Sequence, residues 1–107
     1  MKLDAFTAAD CTGGTIVSGS PNTLFTGVST DSRTVGEGDL FVALAGERFD
    51  GHAFVSEAFS KGAAGAMVMR NDIRGGKTVI SVDDTLAALG DLAGHVRSRY
   101  RPVVVGI

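Results

Sequence analysis

The sequence predicts an α/β fold, in which a small mixed β-sheet has helices packed on it. Short β-rich runs alternate with segments of helical periodicity along the 107 residues. Residues 40–44 form a continuous apolar run between turn residues, which is typical of a buried strand. Fifteen glycines and two prolines predict short elements joined by tight turns.

The elements follow one another without a repeat or a low-complexity tract. The first half predicts a helix over residues 3–11 stopped by Gly13 and Gly14, strands over 15–17 and 25–30, a turn over 34–39 and the buried strand over 40–44. The second half predicts a helix over 54–59 ended by Gly62, followed by strands over 66–69 and 78–82 with Met67 and Met69 as core residues. A helix capped by Asp83 or Asp84 comes next. Its apolar stripe is Leu86, Leu89, Ala93, Val96 and Tyr100. A last strand is predicted over residues 103–107, where three valines lead into Gly106. A strand before a phosphate-binding loop has this pattern, so we expect the natural protein to continue.

One glycine-rich segment is similar to the end of a P-loop. It is Gly75-Gly76-Lys77-Thr78, but the first glycine of that motif would fall at Asn71, and a β-rich run follows instead of a helix. We therefore predict a hairpin-type turn there, and no Walker motif in the chain.

Composition and charge exclude several classes of function. A net charge of -2 gives no general attraction to nucleic acid or to an anionic membrane. No segment approaches the roughly 20 apolar residues that span a bilayer. The single Cys11 cannot form an internal disulfide, which favours a reducing, cytoplasmic setting, and we expect it to be a buried or half-buried packing residue. His52, His95 and Cys11 lack zinc-site spacing, so no metal site and no complete catalytic set is predicted.

Two polar segments are candidates for ligand binding. The first is Ser29-Thr30-Asp31-Ser32-Arg33, whose hydroxyls, carboxylate and guanidinium suit ligand oxygens and N–H groups. The alternative is an Asx or Ser turn, in which Asp31 and Ser32 bond their own backbone.

The second segment is Gly46-Glu47-Arg48-Phe49-Asp50-Gly51-His52, directly before a predicted helix. Its glycines permit close approach to a ligand, the helix N-terminus suits a phosphate, and Phe49 could stack on a flat base. The alternative is that Asp50 caps the helix, Phe49 packs on the core and His52 is solvated.

Together these motifs resemble the N-terminal domain of the Mur ligases. The resemblance is carried by residues 27–35, 38–44 and 46–52 in that order, and it extends over nearly the whole chain. The motif Gly-Glu-Arg-Phe-Asp-Gly-His at residues 46–52 resembles the corresponding motif of the members that add D-alanyl-D-alanine more than that of the members that add a diamino acid.

The resemblance implies part of a cytoplasmic ligase of peptidoglycan synthesis, acting on UDP-N-acetylmuramoyl-tripeptide and D-alanyl-D-alanine. Residues 1–101 would be the UDP-substrate-binding domain, and residues 102–107 the first strand of an ATP-binding central domain. ATP and Mg²⁺ would bind the full-length enzyme, so this chain alone would be inactive, and we expect a monomer. The residues implied at the UDP end of the substrate are Thr30, Asp31, Ser32, Arg33, Glu47, Arg48, Phe49, Gly51 and His52.

Two other functions stay open at this point. One is a ligase of the same family that adds a diamino acid, because those members share the Asp-Ser-Arg and Asp-Gly-His pieces. The other is a non-catalytic nucleotide-binding or interaction module that shares only the fold.

Overall fold

The computed structural model describes residues 3–45, 50–69, 73 and 77–100, with side chains as far as Arg97. The elements are β1 (Leu3–Asp4), α1 (Ala5–Thr12), β2 (Thr15–Ser18), β3 (Leu24–Phe25), β4 (Gly27–Ser29), β5 (Asp39–Val42), a 3₁₀ turn (Gly51–Phe54), α2 (Val55–Ser60), β6 (Gly65–Val68), β7 (Thr78–Ser81) and α3 (Thr85–Tyr100). The predicted strand over 103–107, and with it the domain boundary at residue 102, lies outside the described residues.

Within the described residues the main sheet is five-stranded, in the order β2-β7-β6-β5-β4. The pairs β4–β5, β5–β6 and β6–β7 are parallel, whereas β2 pairs with β7 antiparallel at the edge. A separate ribbon joins β1 to β3. The predicted mixed α/β sheet is therefore confirmed, and the region predicted as one strand over 25–30 is divided between β3 and β4.

The prediction of a hairpin before Thr78 is wrong. Strands β6 and β7 run parallel, with Ala66 opposite Val79 and Met67 opposite Ile80. A tight hairpin joins only antiparallel strands, so β6 and β7 are not the two arms of a hairpin. The glycines before Thr78 indicate a turn, but turn composition does not specify whether the two flanking strands are parallel or antiparallel.

The sheet is buried on both faces, so the fold has three layers. Alternate side chains of β5 point to opposite sides: Leu40 and Val42 join the core under α1 and α3, while Phe41 joins the core under α2. Met67 lies in the first core, as predicted for a core methionine. This double burial explains the continuous apolar run of β5, because a strand between two layers needs no polar face.

Helix α1 ends before Gly13, as the sequence indicates, but it begins at Ala5 and not at Leu3, because Leu3 and Asp4 form strand β1. The Asp4 carboxylate accepts a hydrogen bond from the Thr7 backbone N–H at 2.7 Å, and Gly13 ends the helix with φ 70°. Cys11 on this helix is half-buried and packs against the core, as predicted. Burial raises the pKa of its thiol.

The apolar stripe predicted for α3 is partly wrong. Thr85, Ala88 and Leu92 are the buried residues of this helix as far as Arg97, whereas Leu86 is 67% exposed. Leu89 packs against the core as expected, but Ala93 is exposed. The cap is Asp84, whose carboxylate accepts from the Leu86 N–H at 2.9 Å. The buried face therefore starts at Thr85, one residue before the predicted Leu86.

No helix in the described part of the chain is long and apolar enough to cross a membrane.

Candidate functional site

A cavity of about 640 Å³ opens at the carboxyl ends of β4 and β5. Its polar wall is the turn that follows β4, formed by Thr30, Asp31, Ser32 and Arg33. Its apolar wall comes from Phe41, Leu44 and Phe54, and Glu57 of α2 completes it. The carboxyl edge of a parallel sheet is where α/β proteins usually bind ligands. The cavity therefore contains all four residues predicted from the first polar segment.

Asp31 organises the polar turn. Its carboxylate accepts from the Arg33 backbone N–H at 2.8 Å, and its carbonyl accepts from the Thr34 N–H at 3.1 Å. The Asx turn, weighed against ligand binding from sequence, is therefore present for Asp31. It does not exclude a ligand, because the same turn forms a wall of the cavity.

The Arg33 guanidinium forks onto the Asp31 carboxylate. Its Nε lies 3.1 Å from the Asp31 Oδ1, and its Nη2 lies 2.9 Å from the Asp31 Oδ2. These bonds lower the pKa of Asp31 to about 2. The Arg33 side chain is 81% exposed, so the pair is easily separated in water and Arg33 can exchange this carboxylate for another anion.

Ser32 links the turn to α2. Its buried hydroxyl donates to the Oε1 atom of Glu57, so its side chain does not bond its own backbone as the turn alternative proposed. Neither Glu57 nor the apolar wall was predicted from the sequence as part of the site. A carboxylate in the first turn of a helix usually interacts favourably with the helix dipole, which is a sufficient reason for Glu57 to be there. Only the packing of α2 beside the turn after β4 gives this carboxylate Ser32 as a hydrogen-bond partner.

His52 is a buried residue and not the solvated one of the alternative prediction. Its Nδ1 lies 2.6 Å from the Asp50 Oδ1, and its Nε2 accepts from the Met69 N–H at 2.9 Å. Asp50 also caps the 3₁₀ turn, as that alternative expected. Gly51 lies against β5, where an added Cβ would come within 2.7 Å of the Leu44 carbonyl oxygen.

Three residues predicted for the site, Glu47, Arg48 and Phe49, lie outside the described residues. The two ends of their segment are described, because Ala45 and Asp50 pair as an antiparallel bridge. Ala45 directly follows Leu44, which lines the cavity, and the residue after Asp50 donates its backbone N–H to the Leu44 carbonyl.

Lys77, the lysine of the rejected P-loop match, makes bonds to the protein itself. Its Nζ donates to the carbonyls of Ala63 at 2.7 Å and Phe59 at 3.0 Å, and it stands 5.5 Å from the centre of the Phe59 ring. Among the described residues, no group of three or more His, Cys, Asp or Glu side chains could hold a metal ion.

Comparison with known proteins agrees with this architecture. The model of the Mur ligase family, catalytic domain, matches residues 24–97. The chain belongs to the Mur ligase family.

Individual relatives narrow the likeness within that family. The chain is 41% identical over 87 residues to the UDP-N-acetylmuramoyl-tripeptide--D-alanyl-D-alanine ligase of Bacillus subtilis, covering 79% of this chain and 19% of that protein. It is 39% identical over 74 residues to the UDP-N-acetylmuramoyl-L-alanyl-D-glutamate--2,6-diaminopimelate ligase of Syntrophomonas wolfei, covering 68% of this chain and 15% of that one. A crystal structure of MurF from Acinetobacter baumannii superposes with a TM-score of 0.83 at 34% identity, over 94% of this chain and 22% of that chain.

The likeness is thus to the MurF type more than to the diaminopimelate-adding type, and the Mur ligase resemblance drawn from the motifs is confirmed. The chain spans about a fifth of the length of the curated relatives it matches.

Proposed function

We propose that this chain is the substrate-holding N-terminal domain of a cytoplasmic, ATP-dependent ligase that joins D-alanyl-D-alanine to UDP-N-acetylmuramoyl-tripeptide. The observation that carries the proposal is the cavity at the sheet edge, lined by the Thr30–Arg33 turn, in a chain that is 41% identical to ligases of that name. Residues 1–101 would form this domain, and residues 102–107 would begin the ATP-binding part.

The charges around the cavity favour the uridine end of the substrate there. Asp31 and Glu57 are carboxylates, and the Arg33 guanidinium is already paired with one of them. A diphosphate would have to displace the Asp31 carboxylate from Arg33 and would lie close to the Glu57 carboxylate, and both requirements oppose it. The same charged groups suit a neutral base, whose N–H and carbonyl groups can bond to the hydroxyls and carboxylates of the polar wall.

The apolar wall is consistent with the same orientation. Phe41, Leu44 and Phe54 offer a non-polar surface on which a flat pyrimidine ring can pack. The diphosphate would then extend towards the segment between Ala45 and Asp50, which carries Arg48 and precedes a helical turn.

In this proposal the chain binds and orients, while other parts of the enzyme carry out the reaction. ATP and Mg²⁺ bound there would activate the substrate carboxyl as an acyl phosphate for attack by the amine of D-alanyl-D-alanine. The residues of this chain would hold the nucleotide end in place during that reaction. Alone they would bind it weakly, in the high micromolar range or above, about -4 to -5 kcal/mol.

A titration followed by amide NMR tests the binding role. UDP and UDP-N-acetylmuramoyl-tripeptide are added separately to labelled protein, with CDP as the base control. We expect shifts at Thr30, Ser32, Leu44 and Phe54, and weaker binding of CDP. Ser32→Ala should weaken the response, whereas Ser60→Ala, an exposed serine of α2 outside the cavity lining, should leave it unchanged.

The same two variants in the full-length ligase test the activity. Ser32→Ala should raise the KM for the UDP substrate with little change in kcat, and D-alanyl-D-alanine should be the amine consumed. The proposal fails if the cavity variant leaves KM unchanged and no cavity amide responds to millimolar UDP. Consumption of a diamino acid instead would assign the enzyme to the other ligase type.

A further inference from the structure

The hydrogen bonds of His52 determine which of its ring nitrogens carries the proton. A backbone N–H can only donate, so the Nε2 atom that faces the Met69 N–H at 2.9 Å must present a lone pair. The proton of a neutral ring then lies on Nδ1, which donates to the Asp50 carboxylate at 2.6 Å. The side chain is only 2% exposed, so water does not compete for either nitrogen.

These bonds tie together two strand ends beside the cavity. Met69 directly follows β6, whereas Asp50 pairs with Ala45, three residues beyond Val42 at the end of β5. The Asp50 Oδ1 also accepts from the His52 backbone N–H at 3.0 Å. Next to it, the Gly51 N–H donates to the Leu44 carbonyl at 2.6 Å. Leu44 lines the cavity, and Phe54 ends the 3₁₀ turn that contains His52.

We propose that His52 is a positioning residue for the substrate cavity: its imidazole, in the Nδ1–H form, holds the Leu44 and Phe54 wall in register with the end of β6. The ligand part of this proposal rests on the proposed function. A buried polar group that only filled space could be replaced by an apolar one at little cost, whereas a fully satisfied relay fixes one geometry. The imidazole makes no contact with the cavity itself and acts through Asp50 and Met69.

The first test uses the ligand-free protein. Imidazole ¹⁵N shifts should show a protonated Nδ1 and an unprotonated Nε2 for His52. The Met69 amide should exchange slowly in wild type and faster in His52→Leu, with shift changes at Gly51 and Leu44. His52→Gln should restore part of the Met69 protection, because its side-chain oxygen can replace the Nε2 acceptor. The control is His95→Gln, a half-buried histidine of α3, which should change none of these signals.

The second test measures UDP affinity for the same variants. Displacement of the wall should weaken UDP binding about ten-fold or more in His52→Leu, and less in His52→Gln. A protonated Nε2 overturns the proposal, and so does a His52→Leu protein whose cavity amides match those of His95→Gln. If wild type fails to bind UDP, the proposed function fails, but the tautomer and the exchange of Met69 still decide whether His52 holds the wall.

Discussion

Replacing Lys77 with methionine removes the ammonium group while keeping a side chain of similar length. The Lys77 Nζ donates to two backbone carbonyls, those of Ala63 at 2.7 Å and Phe59 at 3.0 Å. Phe59 belongs to the last turn of α2, and Ala63 follows it before β6. The lysine therefore provides donors to carbonyls at the end of the helix that carries Glu57.

The size of the effect follows from these contacts. A hydrogen bond to a charged group contributes about 1.5–3 kcal/mol net, and a cation near an aromatic ring contributes about 0.5–1 kcal/mol at exposed sites. Ordering a lysine side chain costs up to about 2 kcal/mol, and this one is only half-buried. We therefore expect Lys77→Met to lower the free energy of unfolding by about 2 kcal/mol. The total free energy of unfolding of a typical domain is about 5–15 kcal/mol, so this loss is substantial.

Urea unfolding followed by circular dichroism measures this difference. The matched control is Lys61→Met, because Lys61 is exposed and its Nζ lies at a long 3.5 Å from the Arg33 carbonyl. The control should change stability by less than about 0.5 kcal/mol. Equal stability of the two variants would refute the structural role of Lys77. In that case its two carbonyl contacts would contribute nothing beyond those of a surface lysine.

Three further predictions concern individual residues. Asp31, whose pKa is held at about 2 by Arg33, contributes stability that is present above its ordinary pKa of 3.8 and is lost as pH falls towards 2. A ¹³C titration should find this low midpoint in wild type and a value nearer 3.8 in Arg33→Gln; equal midpoints would contradict the ion pair. Gly19→Ala should destabilise the protein by more than about 2 kcal/mol, because its Cβ would lie 2.3 Å from the Thr78 Cα, whereas Gly13→Ala, with open space around it, should cost about 1 kcal/mol; thermal melts that rank them the other way would refute this. Asp84→Ala should cost about 1 kcal/mol as the lost cap of α3, and Asp83→Ala less than half of that, about 0.5 kcal/mol or below; the reverse order in urea unfolding would assign the cap to Asp83.

Local chemistry made several parts of the fold predictable. The Asp4 cap and the left-handed Gly13 that bound α1 are properties of a few neighbouring residues. The buried β5 was visible because a strand covered on both faces needs apolar residues at consecutive positions. The phase of α3 was not predictable in the same way. Leu86 and Thr85 both suit a helix, and only the packing of α3 against the rest of the fold decides which of them is buried.

The candidate site divides along the same line. Residues 30–33 stood out because a strand leads into a cluster of polar groups, and they do line the cavity. Glu57 gave no such signal, since its partner Ser32 lies 25 residues away in the chain. His52 was a candidate because it lies in the second polar segment, but its burial and its bond to Met69 depend on where the end of β6 lies.

The sequence by itself determined the α/β class, most element boundaries, the polar turn after β4 and the Mur ligase motifs, because each depends on residues close together in the chain. Only the tertiary structure decided the direction of β7, the buried face of α3, the partners of Lys77 and the relay through His52. Those features depend on contacts between residues distant in sequence, and the free energy of such contacts is set by packing geometry that no local pattern contains.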